Sequence, residues 1–157
     1  MREYLFRGKR TDNGEWVEGY YFCVTDNYTP KNRCYITTLK KLDNGEIILT
    51  GQFEVIPESV GQYIGLTDKN GKKIFEGDIV RTQPFSDRPY SKKAKFKQHI
   101  GVVEYYIRRH NLREQDYEAG WQVKIKDYGG YGCCDWSAFF QCEVIGNVFE
   151  NVDLLEG

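Results

Sequence analysis

Apolar positions in this chain come in short bursts, each followed by a cluster of turn formers. That rhythm predicts antiparallel strands joined by tight turns. "YLFRG" and "WVEGYYF" flank "KRTDNGE", and Asn13-Gly14 is a dipeptide that tolerates positive φ at both central positions of a hairpin turn. Tyr4–Gly8 is therefore predicted to pair with Trp16–Phe22. "DNYTPKN" reads as a loop, and "RCYITT" and "EIILT" as a second hairpin around "LDNGE". The word "DNGE" occurs at Asp12 and again at Asp43, but the flanks do not match. Turn chemistry selects the same dipeptides wherever a hairpin closes, so no internal repeat is inferred.

Further along, "QFEVIPESVGQYIG" predicts a strand through Ile56 and a corner at Pro57, whose ring fixes φ and removes a donor. "YIGLTDKNGKKIFEGDIV", Tyr63 to Val80, predicts a strand, a turn at Asn70-Gly71, a short second strand and a sharp step at Gly77-Asp78. There Gly77 supplies an unusual φ and Asp78 accepts backbone N–H groups, a structural role for all four turn residues. Gln83–Gln98 has two Pro, two Ser and four Lys in six positions, without apolar periodicity, and is predicted to be a mobile surface loop. "HIGVVEYYIRR" is a strong strand. "LREQDYEAG", Leu112–Gly120, predicts a short helix ended by its Gly. "WQVKIKD" alternates, with Trp121, Val123 and Ile125 inward; "YGGYGCC" is a Gly-rich loop; "CEVIGNVFEN" is a closing strand with Gly146 at a bulge or close approach.

Composition supports the strand reading. Of 157 residues, 15% are aromatic and only one is Met, a balance that favours strands over helices. A chain of this length buries roughly 70% of its extended surface, so it needs no staple. No apolar segment follows "MREYLFRGKR" and none reaches membrane-spanning length, which predicts neither signal peptide nor membrane helix and a cytoplasmic location. The five Cys, at 23, 34, 133, 134 and 142, are accordingly expected as reduced thiols, packed as small hydrophobes with Cys133-Cys134 in a loop. No C-x-x-C or paired-His spacing occurs, so no metal and no other cofactor is expected.

Chemistry-bearing patterns are sparse. His99 and His110 are eleven residues apart and fall on opposite faces of a regular strand. Glu76 and Asp78 could form a carboxylate pair, but the turn role of Asp78 accounts for it. Cys133-Cys134 beside Asp135 has no nearby His and no helix N-terminus to activate a thiol. No hydrolase, phosphate-loop or dinucleotide fingerprint is present, and no catalytic residue is assigned. Net charge is −1, yet Arg81–Arg113 holds nine Lys or Arg against Asp87 and Glu104. Lys92, Lys93, Lys95 and Lys97, followed by Tyr105, Arg108 and Arg109, combine cations with a stacking face and form a candidate nucleic-acid surface. The bland reading is a solvated lysine loop. "DYGGYGCCDWSAFF" offers Tyr131, Trp136 and Phe139 as a candidate partner surface, or alternatively as core or a self-association patch.

With these segments laid out, "FRGKRTDNGEWVEGYY", "VIPESVGQYIGLTDKNGKKIFEGDIV" and "EVIGNVFEN" together resemble the YopX family of phage and prophage proteins. The match runs in the same order at both ends and in the centre. Gln83–Gln98 and Arg108–Phe140 correspond weakly. The resemblance implies a mostly antiparallel β protein with an SH3-like small barrel, made in a bacterial cytoplasm, and implies no activity. The expected architecture is mostly β, with a hairpin region at 1–57 and an SH3-like barrel at 58–157, and at most one or two short helices. The expected role is an accessory protein that binds a protein partner or itself without catalysis; the alternative is a nucleic-acid-binding small barrel. No membrane partner is expected.

Overall fold

The computed structural model describes residues 4–25, 32–84, 86, 92–93, 95–109, 117–125, 139 and 141–156, with backbone alone at 108, 109 and 117. Ten strands are described: β1 (Phe6–Lys9), β2 (Trp16–Thr25), β3 (Asn32–Lys41), β4 (Ile47–Val55), β5 (Gly61–Thr67), β6 (Lys73–Phe75), β7 (Asp78–Arg81), β8 (Ile100–Arg109), β9 (Tyr117–Lys124) and β10 (Glu143–Asn147). The helices described in full are 3-10 turns at Pro57–Ser59 and Val152–Leu155. The chain divides into two units, Met1–Tyr63 and Ile64–Gly157, so the division falls within β5 and a few residues beyond the Pro57 corner.

In the first unit the strands run β4-β3-β2-β1-β5. β2 is shared: Trp16–Gly19 pairs with β1 and Tyr20–Thr25 with β3. At the changeover a Cβ on Gly19 would sit 2.3 Å from the Thr37 carbonyl oxygen, so only glycine fits. β3 continues into β4 through a bulge at Thr38/Leu39. The end of β4 then turns back onto the end of β1: Val55 bridges Arg10, the Thr11 N–H donates to the Glu54 carbonyl at 3.0 Å, and the Ile56 N–H donates to the Lys9 carbonyl at 2.8 Å. After the Pro57–Ser59 turn, where the Ser59 hydroxyl accepts the Lys9 N–H, β5 returns beside β1. Cys34, Ile36 and Val55 are buried at the centre, with Phe6, Val17, Tyr21 and Val60 packed around them.

The two "DNGE" words close their hairpins by the same local chemistry. In each, the Asn side chain accepts the N–H of the following Glu at 3.0 Å and donates to that Glu carboxylate, at 2.7 Å for Asn13 and 2.9 Å for Asn44. Gly14 and Gly45 adopt φ of +72° and +89°. Neither Asn has positive φ, so the expected pair of left-handed central residues is corrected to one: the Arg10 N–H donates to the Glu15 carbonyl and the Leu42 N–H to the Glu46 carbonyl, which makes both loops longer than two residues, and such loops need a single left-handed Gly.

The second unit packs the hairpin of β5 and β6 with a four-stranded antiparallel sheet ordered β10-β7-β8-β9. Its core is larger: Ile64, Ile74, Val80, Val103, Val123, Ile125, Phe139, Cys142 and Val144 are buried together. Each such aliphatic or aromatic side chain contributes about 1.5–3 kcal/mol on transfer from water. The pairing of β10 with β7 shifts register between Val144 and Gly146, where a Cβ would meet the Asn151 carboxamide oxygen at 2.7 Å.

The chain is mostly β in two antiparallel sheets, as expected, and among the described strands no closed barrel is found from residue 58 onward, where β9 and β10 stand at opposite edges of the four-stranded sheet. Two expectations are corrected here. The helix expected over Leu112–Gly120 fails in its described part: Tyr117–Gly120 belongs to β9, with Gly120 opposite Tyr106 and Glu118 opposite Arg108. Long-range pairing with β8 outweighs the weak local preference of two helical turns. The five thiols expected to be reduced are not all free, because Cys23 and Cys34 are joined by a disulfide. They sit directly opposite each other on β2 and β3, with Cα atoms 4.1 Å apart, a juxtaposition set by hairpin register and invisible in spacing alone. Cys142 does match the packing expectation, since it is fully buried.

Candidate interaction surfaces

The turn residues of "YIGLTDKNGKKIFEGDIV" are held by two buried carboxylates. Asp68 Oδ1 accepts the Asn70 N–H at 2.8 Å and the Lys72 N–H at 2.9 Å, while Gly71 adopts φ +81°. Asp68 Oδ2 reaches the Val144 N–H on β10 at 3.1 Å, tying the turn to a strand 76 residues away. Burial pushes the Asp68 pKa up, but the three backbone donors and the Lys72 charge outweigh it and leave the carboxyl below its ordinary value. Asp78 is fully buried and accepts the Phe75 N–H at 2.8 Å; Gly77 before it adopts φ +79°. Asn70, Gly71, Gly77 and Asp78 thus organise the backbone, and Asp68 is a fifth member that the sequence reading passed over. Its signal was present: an Asp two residues before Asn-Gly is a side-chain acceptor for a turn.

Other titratable groups in this unit serve structure. Cys142 is pushed up to about 11, chiefly by burial and then by the charges of Asp68 and Asp78, so its thiol is inert at neutral pH. Glu143 is held below its ordinary value by the Lys69 ammonium, 2.7 Å away, with Arg81 at 3.8 Å. His99 is buried, and its backbone N–H donates to the Thr82 hydroxyl. Among the described residues no group of three or more His, Cys, Asp or Glu could hold a metal ion. His110, Cys133 and Cys134 lie outside the described residues.

The candidate nucleic-acid residues divide. Lys92, Lys93, Lys95 and Lys97 are all exposed, and Phe96 among them is 63% exposed, an aromatic face that the sequence reading did not single out. Tyr105 is half exposed and meets Trp121 edge to face at 5.1 Å. By strand alternation position 109 shares the Tyr105 face of β8, whereas position 108 lies on the opposite one, beside Glu118. On that opposite face Glu104 accepts from Gln122 at 2.7 Å and pairs with Lys124 at 3.2 Å, and the Tyr106 hydroxyl donates to Glu118 at 2.7 Å. Tyr105 and Arg108 therefore do not form one strip.

The candidate partner residues fare differently. Tyr131 and Trp136 lie outside the described residues, and Phe139, 6% exposed, is packed in the second core and unavailable to a partner. A surface that the sequence reading missed lies on the first unit. Tyr20, Phe22 and Val24 of β2 are exposed, and Phe22 stacks on Tyr35 of β3 with ring centroids 5.5 Å apart. Along the same face of β3, Leu39 is exposed opposite Leu49, and Lys41 lies opposite Ile47. Leu49 and Ile47 are 61% and 67% exposed. The signal was in "WVEGYYFCVT", which is apolar on both faces and so cannot hide both in one core.

No helix among the described residues is long and apolar enough to cross a membrane. No curated protein matches this chain. A solved structure, protein EF1440 from Enterococcus faecalis, is similar at 22% identity over 99% of both chains, with a TM-score of 0.43. The YopX protein model matches residues 5–156, and with nearly the whole length accounted for, the chain belongs to the YopX family.

Proposed function

We propose that the protein is a non-catalytic binding module, a phage- or prophage-encoded accessory factor that docks on a protein partner in the bacterial cytoplasm. The observation that carries this reading is the exposed apolar and aromatic face of β2, β3 and β4, built from Tyr20, Phe22, Val24, Leu39, Ile47 and Leu49. Exposed apolar side chains gathered on one sheet suit an interaction site, and stacked aromatics supply rigid contact area. The strand succession of the first unit supports the same reading. A four-strand meander, a 3-10 turn and a fifth strand returning beside the first is the order of an SH3-like barrel, a scaffold reused for peptide and protein binding. In this proposal the barrel character sits at residues 5–63. Affinity capture from bacterial lysate tests it with Phe22→Ser/Leu49→Ser as the control: proteins retained by the parent and lost by the variant support the reading, and identical retention overturns it.

A second reading rests on Lys92, Lys93, Lys95 and Lys97 with exposed Phe96. Such a group would bind single-stranded nucleic acid by phosphate contacts and stacking, with affinity falling steeply as salt rises. Absence of retention on single-stranded DNA and RNA at low salt would remove it.

A further inference from the structure

The Cys23–Cys34 disulfide plays no part in either surface, and its surroundings suit reversible chemistry. Cys34 is 3% exposed, inside the first core beside Ile36 and Val55. Cys23 is exposed at the other end of the same bond. The Tyr21 hydroxyl lies 2.9 Å from Cys23 Sγ and 3.2 Å from Cys34 Sγ. Disulfide sulfurs carry no proton, so the hydroxyl is the donor and its single proton is shared between them.

The bond is redundant to the strand pairing around it. Six successive residue pairs, from Tyr20↔Thr37 to Thr25↔Asn32, hold β2 to β3, and the cross-link spans a sequence separation of only 11. Closing so short a loop restricts the unfolded chain less than a long one would, a contribution of roughly a few-fold to hundred-fold in the folding equilibrium, and the ladder itself needs no cross-link to form. A reduced Cys34 would remain in place as a small buried hydrophobe. Both redox states therefore fit one backbone.

We propose that this pair is a thiol-exchange site that takes a low-molecular-weight thiol, such as glutathione, at Cys23, with Tyr21 as a positioning residue. The small thiolate attacks the exposed Cys23 Sγ, forming a new S–S bond. The electron pair of the Cys23–Cys34 bond leaves on Cys34 Sγ, where the Tyr21 hydroxyl donates a hydrogen bond to the developing anion until solvent protonates it. A second small thiolate attacks the thiol-derived sulfur of the mixed disulfide and releases Cys23 as a thiolate. One protein disulfide and two small thiols become two protein thiols and one small disulfide, two electrons passing to the protein. The small disulfide runs the sequence in reverse.

The test uses the full chain with Cys133→Ser/Cys134→Ser, equilibrated in glutathione buffers of graded reduced-to-oxidised ratio, trapped by alkylation and mapped by mass spectrometry. The expected result is reversible loss of the disulfide while far-UV circular dichroism stays folded, with the transient glutathione adduct on the Cys23 peptide. Loss of one hydrogen bond to a charged sulfur should slow reduction about tenfold in Tyr21→Phe. A pair that resists excess glutathione until the protein is unfolded, or an adduct mapped to Cys34, overturns the proposal. An unchanged reduction rate in Tyr21→Phe overturns the role of Tyr21.

Discussion

The two units differ in how much core they have and in what they add to it. Among the described residues, the first clusters Cys34, Ile36 and Val55 at its centre, with Cys34 held in a disulfide and Phe6, Val17, Tyr21 and Val60 half buried around them. Among the described residues, the second buries a cluster of nine and supplements it with two carboxylates, Asp68 and Asp78, that satisfy turn and strand N–H groups. A small sheet with few inward positions cannot cover both faces, and its remaining apolar residues stay at the surface. The unit with the smaller core carries the apolar face of β2, β3 and β4; the unit with the larger core carries the buried polar anchors, and it too leaves apolar side chains outside, among them Phe96, Tyr105 and Ile107.

The largest effects should come from the cores. Ile74→Ala and Ile36→Ala each delete a fully buried side chain and should cost about 2–5 kcal/mol. Monitored by chemical denaturation with a probe in each unit, Ile36→Ala should unfold the first unit ahead of the second. Coincident transitions would erase the distinction between the units. Next comes Asp68→Ala, which leaves three backbone donors without their acceptor and should cost about 1–3 kcal/mol. Because the folded Asp68 carboxyl lies below its unfolded value, near 4, its stabilisation is present above that pH and is lost as pH falls through the folded value. Acid unfolding of the second unit in Asp68→Ala should accordingly show a shallower loss below pH ~4 than the parent.

Smaller effects sharpen the comparison at the surface. Lys69→Ala removes the partner that depresses Glu143, and an NMR titration should find the Glu143 carboxyl back towards its ordinary range. The fold should be unaffected, as is usual for exposed ion pairs. Phe22→Ser, which loses the stack on Tyr35, should cost about 0.5–1.5 kcal/mol, and Leu49→Ser should change stability least, within about 0.5 kcal/mol, because that side chain is 61% exposed. A large destabilisation by either would mean that the face serves the fold and not a partner.

What could be read along the chain was its local chemistry. Turn dipeptides at Asn13-Gly14, Asn44-Gly45 and Asn70-Gly71, the Pro57 corner, the Gly77-Asp78 step and the alternation of "WQVKIKD" each act within a few residues, and each marks the turn or strand expected of it. Even there, the conformation of Asn13 follows from a loop longer than two residues, closed by the Arg10 N–H on the Glu15 carbonyl, which the dipeptide alone does not specify. What only the tertiary structure decided was register between distant segments. Strand pairing drew Tyr117–Gly120 out of a helix, set Cys23 opposite Cys34, and brought Asp68 to Val144. It also chose which apolar residues were buried: Phe139 went into a core while Phe22 and Leu49 were left outside. Sequence distance carries no information about these pairings, because each depends on which strand edge a segment meets, and a one-residue slip would exchange every buried side chain for its exposed neighbour.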